Sequence, residues 1–533
     1  MSRTRCRSTQ IPVWRWGDEG SRFKVQSLRL KDVKSLKIFW ALAVFAFVVL
    51  GAAAVWLGGL NQDEGWYLYA ANMVAEGQMP YRDFFYTQGP ILPVLYSPFS
   101  VVWKGGGILG ARLFTLGLGA CGLVFALALA ARLAPSGRKG AAALVVLFLL
   151  GVNLYHLYYL AIPKTYALAA LFVLAGFYLL SFASPFCLAG AGLMLAFAAG
   201  TRISLGALLC AVGLCLLCSR RWKPLLGFCI GGFAGLALVY GPYLIDDSAR
   251  AGLLAAQQYH AARGGFDLVW AVGSLSRLVR WYLPVFVVLG LGMGSGFFRF
   301  RTSGEDAASP LKGGNVLFWG FLAVFAVQML APFPYEDYQV PIMGLLAVYA
   351  AVMFVRNVRF GTSGEDAASP LGVLLVLGLC FASSFGSPLL EKWMTNGQDR
   401  FWSLKKEKCE LAQLRDVAKR IEKLDPNGKT IFTQDLYLAI ETNRKVPKGL
   451  EMGPFAMLTD DGWHKLLVET VPSECAVAAC SGYTFAIEPP RCDERPVAVQ
   501  MDWWALLKKN FALVDREEAF GQNATPLLIL KRK

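Results

Sequence analysis

The stretch NQDEGWYLYAANMVAEGQMPYRDFFYTQGP, from Asn61 to Pro90, gathers side chains capable of acid–base and ionic chemistry. Asp63 and Glu64 open it, and Arg82 and Asp83 follow within Pro80–Phe84. A positioned carboxylate can take the proton of a hydroxyl or amine as a new bond forms, which is general-base work. Asp63 has the residue type and the place for this, with Glu64 as a second ligand or a support. A structural reading stands beside it. Asn61 and Glu64 are three apart, the spacing of a capping box, and Asp63 then becomes a dipole-favoured first-turn residue. Arg82 and Asp83 are either ligand contacts or a local ion pair that shapes the loop.

Farther along, Lys164 in Ile162–Thr165 and Arg202 in Ala199–Arg202 are cations at the ends of apolar runs. Each suits an anion, although a lysine there also snorkels readily and an arginine there also forms structural pairs. His260 and Arg263, beside Tyr259, form a third basic group whose plainer reading is loop surface. Tyr335, Glu336 and Asp337, within Pro334–Tyr338, close the set of candidate binding residues.

The elements that must position these residues are membrane spans. The chain has 533 residues, 56% of them hydrophobic, and a mean hydropathy of +0.46. Spans of 17–25 apolar residues number about eleven. They fall near 38–60, 108–131, 140–155, 165–183, 186–200, 203–218, 225–244, 281–298, 315–331, 339–355 and 372–388. The fifth and sixth, separated by Thr201-Arg202, read as a hairpin of half-depth helices. The first run is too long for a signal-peptide core, and a polar, basic segment precedes it.

The net charge of +15 is explained by location. Ten lysines and arginines from Arg3 to Lys37 precede the first span; Arg132, Arg138 and Lys139 follow the second. Arg220, Arg221 and Lys223 follow the sixth, Arg299, Arg301 and Lys312 the eighth, and Arg356 and Arg359 the tenth. All lie on one side if the N-terminus is cytoplasmic, as the positive-inside rule requires. The basic excess is thus a topology signal and not a nucleic-acid footprint. Residues 1–37 form a cytoplasmic tail, 38–388 the membrane domain with 61–107 as its first outer loop, and 389–533 an extracytoplasmic α/β domain. In that last part, Leu404–Leu424 and Trp503–Asn510 read as helices, and Lys429–Phe432 and Leu527–Leu530 as strands. Tyr67, Ala70, Ala71 and Val74 have the spacing of a short helix lying in the membrane interface.

Of 12 cysteines, Cys409, Cys475, Cys480 and Cys492 fall in the tail and allow two disulfides in three connectivities. No cysteine or histidine spacing supports structural zinc. The decapeptide TSGEDAASPL occurs at Thr302–Leu311 and again at Thr362–Leu371, between spans that do not resemble each other, and reads as a tolerated loop insertion.

The first loop, with Asp63-Glu64 directly after the first span, then Pro80–Phe84 and Gln88–Pro90, resembles that of the GT-C membrane glycosyltransferases. That superfamily includes the protein O-mannosyltransferases and the aminoarabinose transferase of lipid A. Thr201-Arg202 and Tyr335–Tyr338 echo it more weakly. The resemblance implies a multi-pass enzyme of the cell membrane that transfers a hexosyl or pentosyl group, with inversion, from a polyprenyl-phosphate donor to an extracytoplasmic lipid, glycan or protein. It implies Asp63 as the catalytic carboxylate; Lys164 and Arg202, the cations placed nearest the outer membrane face, are then the contacts expected for the donor phosphate. A divalent metal (Mg or Mn) is a further option. Lys164 departs from the acidic residue that relatives carry near that place, which weakens a two-carboxylate metal site. The alternative class is a transporter or lipid-linked-sugar flippase. Transporters place polar residues at mid-membrane within internal repeats, whereas the ionisable residues here cluster at outer span ends.

Overall fold

In the computed structural model the described residues are 11–15, 24–28, 32–261, 265–293, 315–357, 378, 409–452, 471–481, 507–522 and 524–533. A hairpin of β1 (Ile11–Arg15) and β2 (Lys24–Leu28), paired from Ile11↔Leu28 to Arg15↔Lys24, precedes the helical part. The helices are α1 (Asp32–Leu57), α2 (Gln62–Ala75), α3 (Ile91–Tyr96), α4 (Ser100–Leu133), α5 (Lys139–Val146), α6 (Leu154–Ala161), α7 (Thr165–Leu180) and α8 (Pro185–Thr201). They continue with α9 (Gly206–Cys218), α10 (Trp222–Ile245), α11 (Asp247–Ala261), α12 (Leu268–Trp281), α13 (Leu283–Met293), α14 (Asn315–Met329) and α15 (Val340–Asn357). After them come α16 (Glu410–Leu424), α17 (Leu436–Glu441), β3 (Val477–Ser481), β4 (Phe511–Phe520) and β5 (Thr525–Arg532).

The expected spans from the first to the tenth overlap these helices, the third running across α5 and α6 and the eighth described only to Met293. The eleventh, 372–388, lies outside the described residues apart from residue 378, as do both TSGEDAASPL copies. Among the described residues, Lys37–Leu57, Ile91–Leu133, Trp222–Ile245 and Glu336–Asn357 are each long and apolar enough to cross a membrane. Two pairs of helices reach that length and apolarity only together and are sharply bent, α5 with its π-helical extension meeting α6 at 72° and α12 meeting α13 at 78°, the geometry of a broken span or a re-entrant loop.

The two breaks hold each other. Asn153 accepts the His156 N–H at 3.0 Å, capping α6, and its amide donates to the Trp281 carbonyl at 2.9 Å. His156 Nδ1 and the Tyr282 hydroxyl are 2.9 Å apart. Kinks in apolar helices leave backbone groups without partners, and here the Asn153 side chain meets one at its own kink and one at the other.

One expectation is corrected. The Tyr67–Val74 pattern does not lie on a lipid surface. Residues Glu64 to Ala71 and Met73 are buried, because α2 is packed between α3, α4 and α17. The contact is close at Gly65, where a Cβ would collide with the backbone of Leu436 and Tyr437.

The C-terminal part joins α16 and α17 to an antiparallel sheet of order β3-β5-β4. Helix α16 and strand β5 match the expected helix and strand, and residues 507–510 are helical as well. Lys429–Phe432 is not a strand: Thr430 and Phe432 make isolated bridges to Lys445 and Ala478. Cys409, Cys475 and Cys480 are free thiols, and Cys492 lies outside the described residues.

A polar knot sits inside this part. The Gln434 amide donates to Asp435 Oδ2 at 2.9 Å and to the Ser481 hydroxyl. The Tyr437 hydroxyl donates to Asp435 Oδ1 at 3.1 Å. Burial pushes the Asp435 carboxyl up to about 7, against the pull of its hydrogen bonds with Tyr437 and Ser481.

Candidate active site

Helix α2 begins with the capping box that its sequence spells. The Asn61 side chain accepts the Asp63 N–H at 3.1 Å, and the Asn61 N–H donates to Glu64 Oε1 at 2.9 Å. Residues Asp63 and Glu64 therefore leave the first turn in different directions.

Glu64 turns inward and is fully buried against Arg112 of α4. The guanidinium donates to Glu64 twice, at 2.7 and 2.6 Å, and to the carbonyls of Val55, Gly58 and Gly59 at 3.0, 2.9 and 2.8 Å. All five of its N–H groups are used, so the end of α1 and the start of α2 are tied to one cation. Arg112 escaped the sequence reading. The signal was a lone arginine inside an otherwise apolar run.

Asp63 turns outward and keeps a side-chain exposure of 24%. Its Oδ1 accepts the Trp66 indole N–H at 3.1 Å, and its Oδ2 lies 2.9 Å from Lys164 Nζ. Lys164 directly precedes α7, held there by the extended Ile162–Lys164 link. The same ammonium is 3.6 Å from Asp337 Oδ2, which also accepts the Tyr166 hydroxyl at 2.7 Å. Three segments far apart in sequence thus meet in the chain Asp63–Lys164–Asp337.

Arg202 lies beside this bridge. The break between α8 and the short turn Ile203–Leu205 places it, its guanidinium 4.9 Å from the Tyr166 ring and 4.5 Å from the Tyr338 ring. It also donates to the Thr165 hydroxyl at 3.2 Å. Lys164 faces the same Tyr166 ring at 5.3 Å. Two cations therefore share one aromatic wall, whose negative face favours both. Thr165 and Tyr166 were not singled out in the sequence, although they sit one and two residues beyond Lys164.

The other candidates are dispersed. Arg82 pairs with Asp83 at 2.9 Å and reaches Asp246 at 3.7 Å, both links partly exposed. Asp83 Oδ2 accepts the Met79 N–H at 2.7 Å, so this pair shapes its turn. Tyr335 packs edge-on against Trp270 and Tyr338. Glu336 is held by Arg277 of α12 at 3.0 Å. His260 lies in the last turn of α11, and Arg263 lies outside the described residues.

The donor set decides about a metal. Asp63 and Asp337 have an ammonium between them, and a divalent ion there would be repelled by the charge already in place. Among the described residues no three His, Cys, Asp or Glu side chains gather at one point. These residues do not fit a divalent ion.

No family model and no curated protein matches the sequence. Solved structures do match by shape. ArnT from Cupriavidus metallidurans in the apo state aligns at 14% identity and a TM-score of 0.56, covering 93% of this chain and 98% of its own. ArnT bound to undecaprenyl phosphate aligns at 13% and 0.53, with the same coverage. The oligosaccharyltransferase of Archaeoglobus fulgidus, in complex with Zn and sulfate, aligns at 13% and 0.49 over 91% of this chain and 72% of its own. The ArnT likeness shows the fold. This chain has that fold, a body of packed apolar helices followed by a C-terminal part with a small sheet.

Proposed function

We propose that a chain built on the ArnT fold, with this bridge at the start of its first loop helix, is an integral-membrane glycosyltransferase. It moves a hexosyl or pentosyl group from a polyprenyl-phosphate donor to an extracytoplasmic lipid, glycan or protein. The carrying observation is one partly exposed carboxylate, Asp63, 2.9 Å from Lys164, with Arg202 on the same aromatic wall. The undecaprenyl phosphate bound by ArnT supports the class of donor.

In the proposed step the acceptor oxygen or nitrogen forms a bond to the anomeric carbon and gives its proton to Asp63. The bond from that carbon to the phosphate oxygen breaks, and its electron pair leaves on the polyprenyl phosphate. Lys164 and Arg202 meet the charge that develops there, a fixed cationic site being worth most where it need not reorganise. A single displacement inverts the anomeric centre. Glu64, buried on Arg112, acts by fixing α2 and does not touch substrate. The basic clusters support a cytoplasmic N-terminus, and the hold of the C-terminal part on α2 supports an extracytoplasmic tail.

The test is transfer by the purified chain from a panel of undecaprenyl-phosphate sugars. Asp63→Asn keeps the shape and lowers transfer by about two to four orders of magnitude. Arg202→Ala weakens donor binding, and Arg202→Lys restores only part because the planar fork is lost. Full transfer by a folded Asp63→Asn protein would remove the assignment.

A further inference from the structure

The turn Glu336–Gln339 carries polar groups that the step above does not use. It is one 3-10 turn, in which side chains three apart eclipse one another. Asp337 and Tyr338 leave it toward Lys164 and Arg202. Glu336 and Gln339 share the remaining side. Glu336 Oε1 meets Arg277, but its Oε2 is buried with no hydrogen-bond partner among the described residues. Gln339 is fully buried, and neither its amide nitrogen nor its amide oxygen has such a partner.

The facing wall is α12. Its buried stripe is Ala271, Ser274, Leu278 and Trp281, and Arg277 ties it to the turn. Ser274, one turn before Arg277, is fully buried and its hydroxyl is likewise without a partner among the described residues. Buried polar atoms without partners are costly, and a turn that only needed to pack would be more stable with apolar residues here. An acceptor-only carboxylate oxygen, an amide that both donates and accepts, and a hydroxyl together complement neighbouring sugar hydroxyls.

We propose that Glu336, Gln339 and Ser274 form a hydroxyl-binding subsite that holds the sugar of the donor. This rests on the reading that the donor is a polyprenyl-phosphate sugar with its phosphate at Lys164 and Arg202. Both cations are engaged by the middle of the same turn, which rises roughly 6 Å over its length. A sugar joined directly to that phosphate falls within this reach.

The experiment measures binding of undecaprenyl phosphate, bare or carrying glucose, galactose, mannose or arabinose, to the full-length chain in detergent. The wild type binds the bare lipid, and binds at least one sugar-bearing lipid more tightly. Gln339→Met and Ser274→Ala each lower that preference about tenfold or more and leave the bare lipid's affinity unchanged. Gln339→Met also raises the ligand-free melting temperature, since it replaces an unpartnered amide with an apolar chain of similar size. An unchanged preference in both variants, or none in the wild type, overturns the subsite while leaving the donor reading standing. Failure of the wild type to bind any of the lipids overturns that reading and the subsite with it.

Discussion

Lys164 joins two carboxylates that would otherwise face each other. Lys164→Met leaves Asp63 and Asp337 without the shared cation. Truncating one member of a fully buried pair costs about 3–5 kcal/mol, and the cost here is nearer 2 because Asp63 is 24% exposed. Adding Asp337→Asn removes one of the repelling charges, so the double variant unfolds at a higher temperature than Lys164→Met alone. A double variant no more stable than the single one would show that the bridge does not couple these residues. Residue type and place at a span end single out Asp63, Lys164 and Arg202, and the sequence reading set the two cations on one phosphate. The bridge Asp63–Lys164–Asp337 was not legible, because it joins positions brought together only by the packing of α2, α7 and the 336–339 turn. Arg277 was missed because its partner Glu336 lies on a separate element.

At the scale of elements, α2 is held between membrane and tail. Glu410 Oε2 accepts the Leu60 N–H at 2.6 Å, and Gln522 Oε1 accepts the Gln62 N–H at 2.8 Å. At the far end the Tyr69 hydroxyl accepts the Val446 N–H at 3.0 Å, and Lys445 pairs with Glu76 at 2.6 Å. Glu441 closes the kink of α4, accepting the Ile108 N–H at 2.8 Å beside Gly107, whose φ of 61° is a glycine conformation. Gly65→Ala leaves no room for the backbone of α17, which must move away. Because a shift of about 1 Å can cost a hundredfold in rate, transfer drops by at least tenfold and protease cleavage of the C-terminal part increases. Gly105→Ala, with nothing within 4 Å, is the control and changes neither. Apolar run length made the spans legible. It could not reveal α12, because its apolar residues lie on both sides, Leu268, Val269, Val272, Leu275 and Val279 exposed and Ala271, Leu278 and Trp281 buried, with Ser274, Arg277 and Arg280 interrupting the run. Burial of α2 was illegible too, its cover lying more than 350 residues downstream.

For the whole molecule, the stability of the C-terminal part depends on pH through Asp435. Its carboxyl is pushed up to about 7 in the fold, above the ordinary 3.8, so the folded state holds a proton that the unfolded state has released. Stability from this group is greatest below about pH 4, falls as pH rises toward 7, and is level above that. Asp435→Asn keeps the neutral shape and removes this slope. The check is the melting temperature of the C-terminal transition between pH 4 and 8, in wild type and variant. A wild-type slope that persists in Asp435→Asn would assign it to another group.

The acceptance of the Leu60 N–H by Glu410 spans 350 positions of chain, and this sets a clock. The helix bearing Asp63 is synthesised and inserted early, while the groups that fix its first turn from above are made late. At 5–20 residues per second, roughly 20–70 s of translation separate the two. During that interval the helices from α3 to α15 are made, and the groups that cover α2 are not yet present. Any chemistry that depends on a fixed α2 therefore waits for Glu410 and Gln522, and a chain cut short before them lacks both contacts.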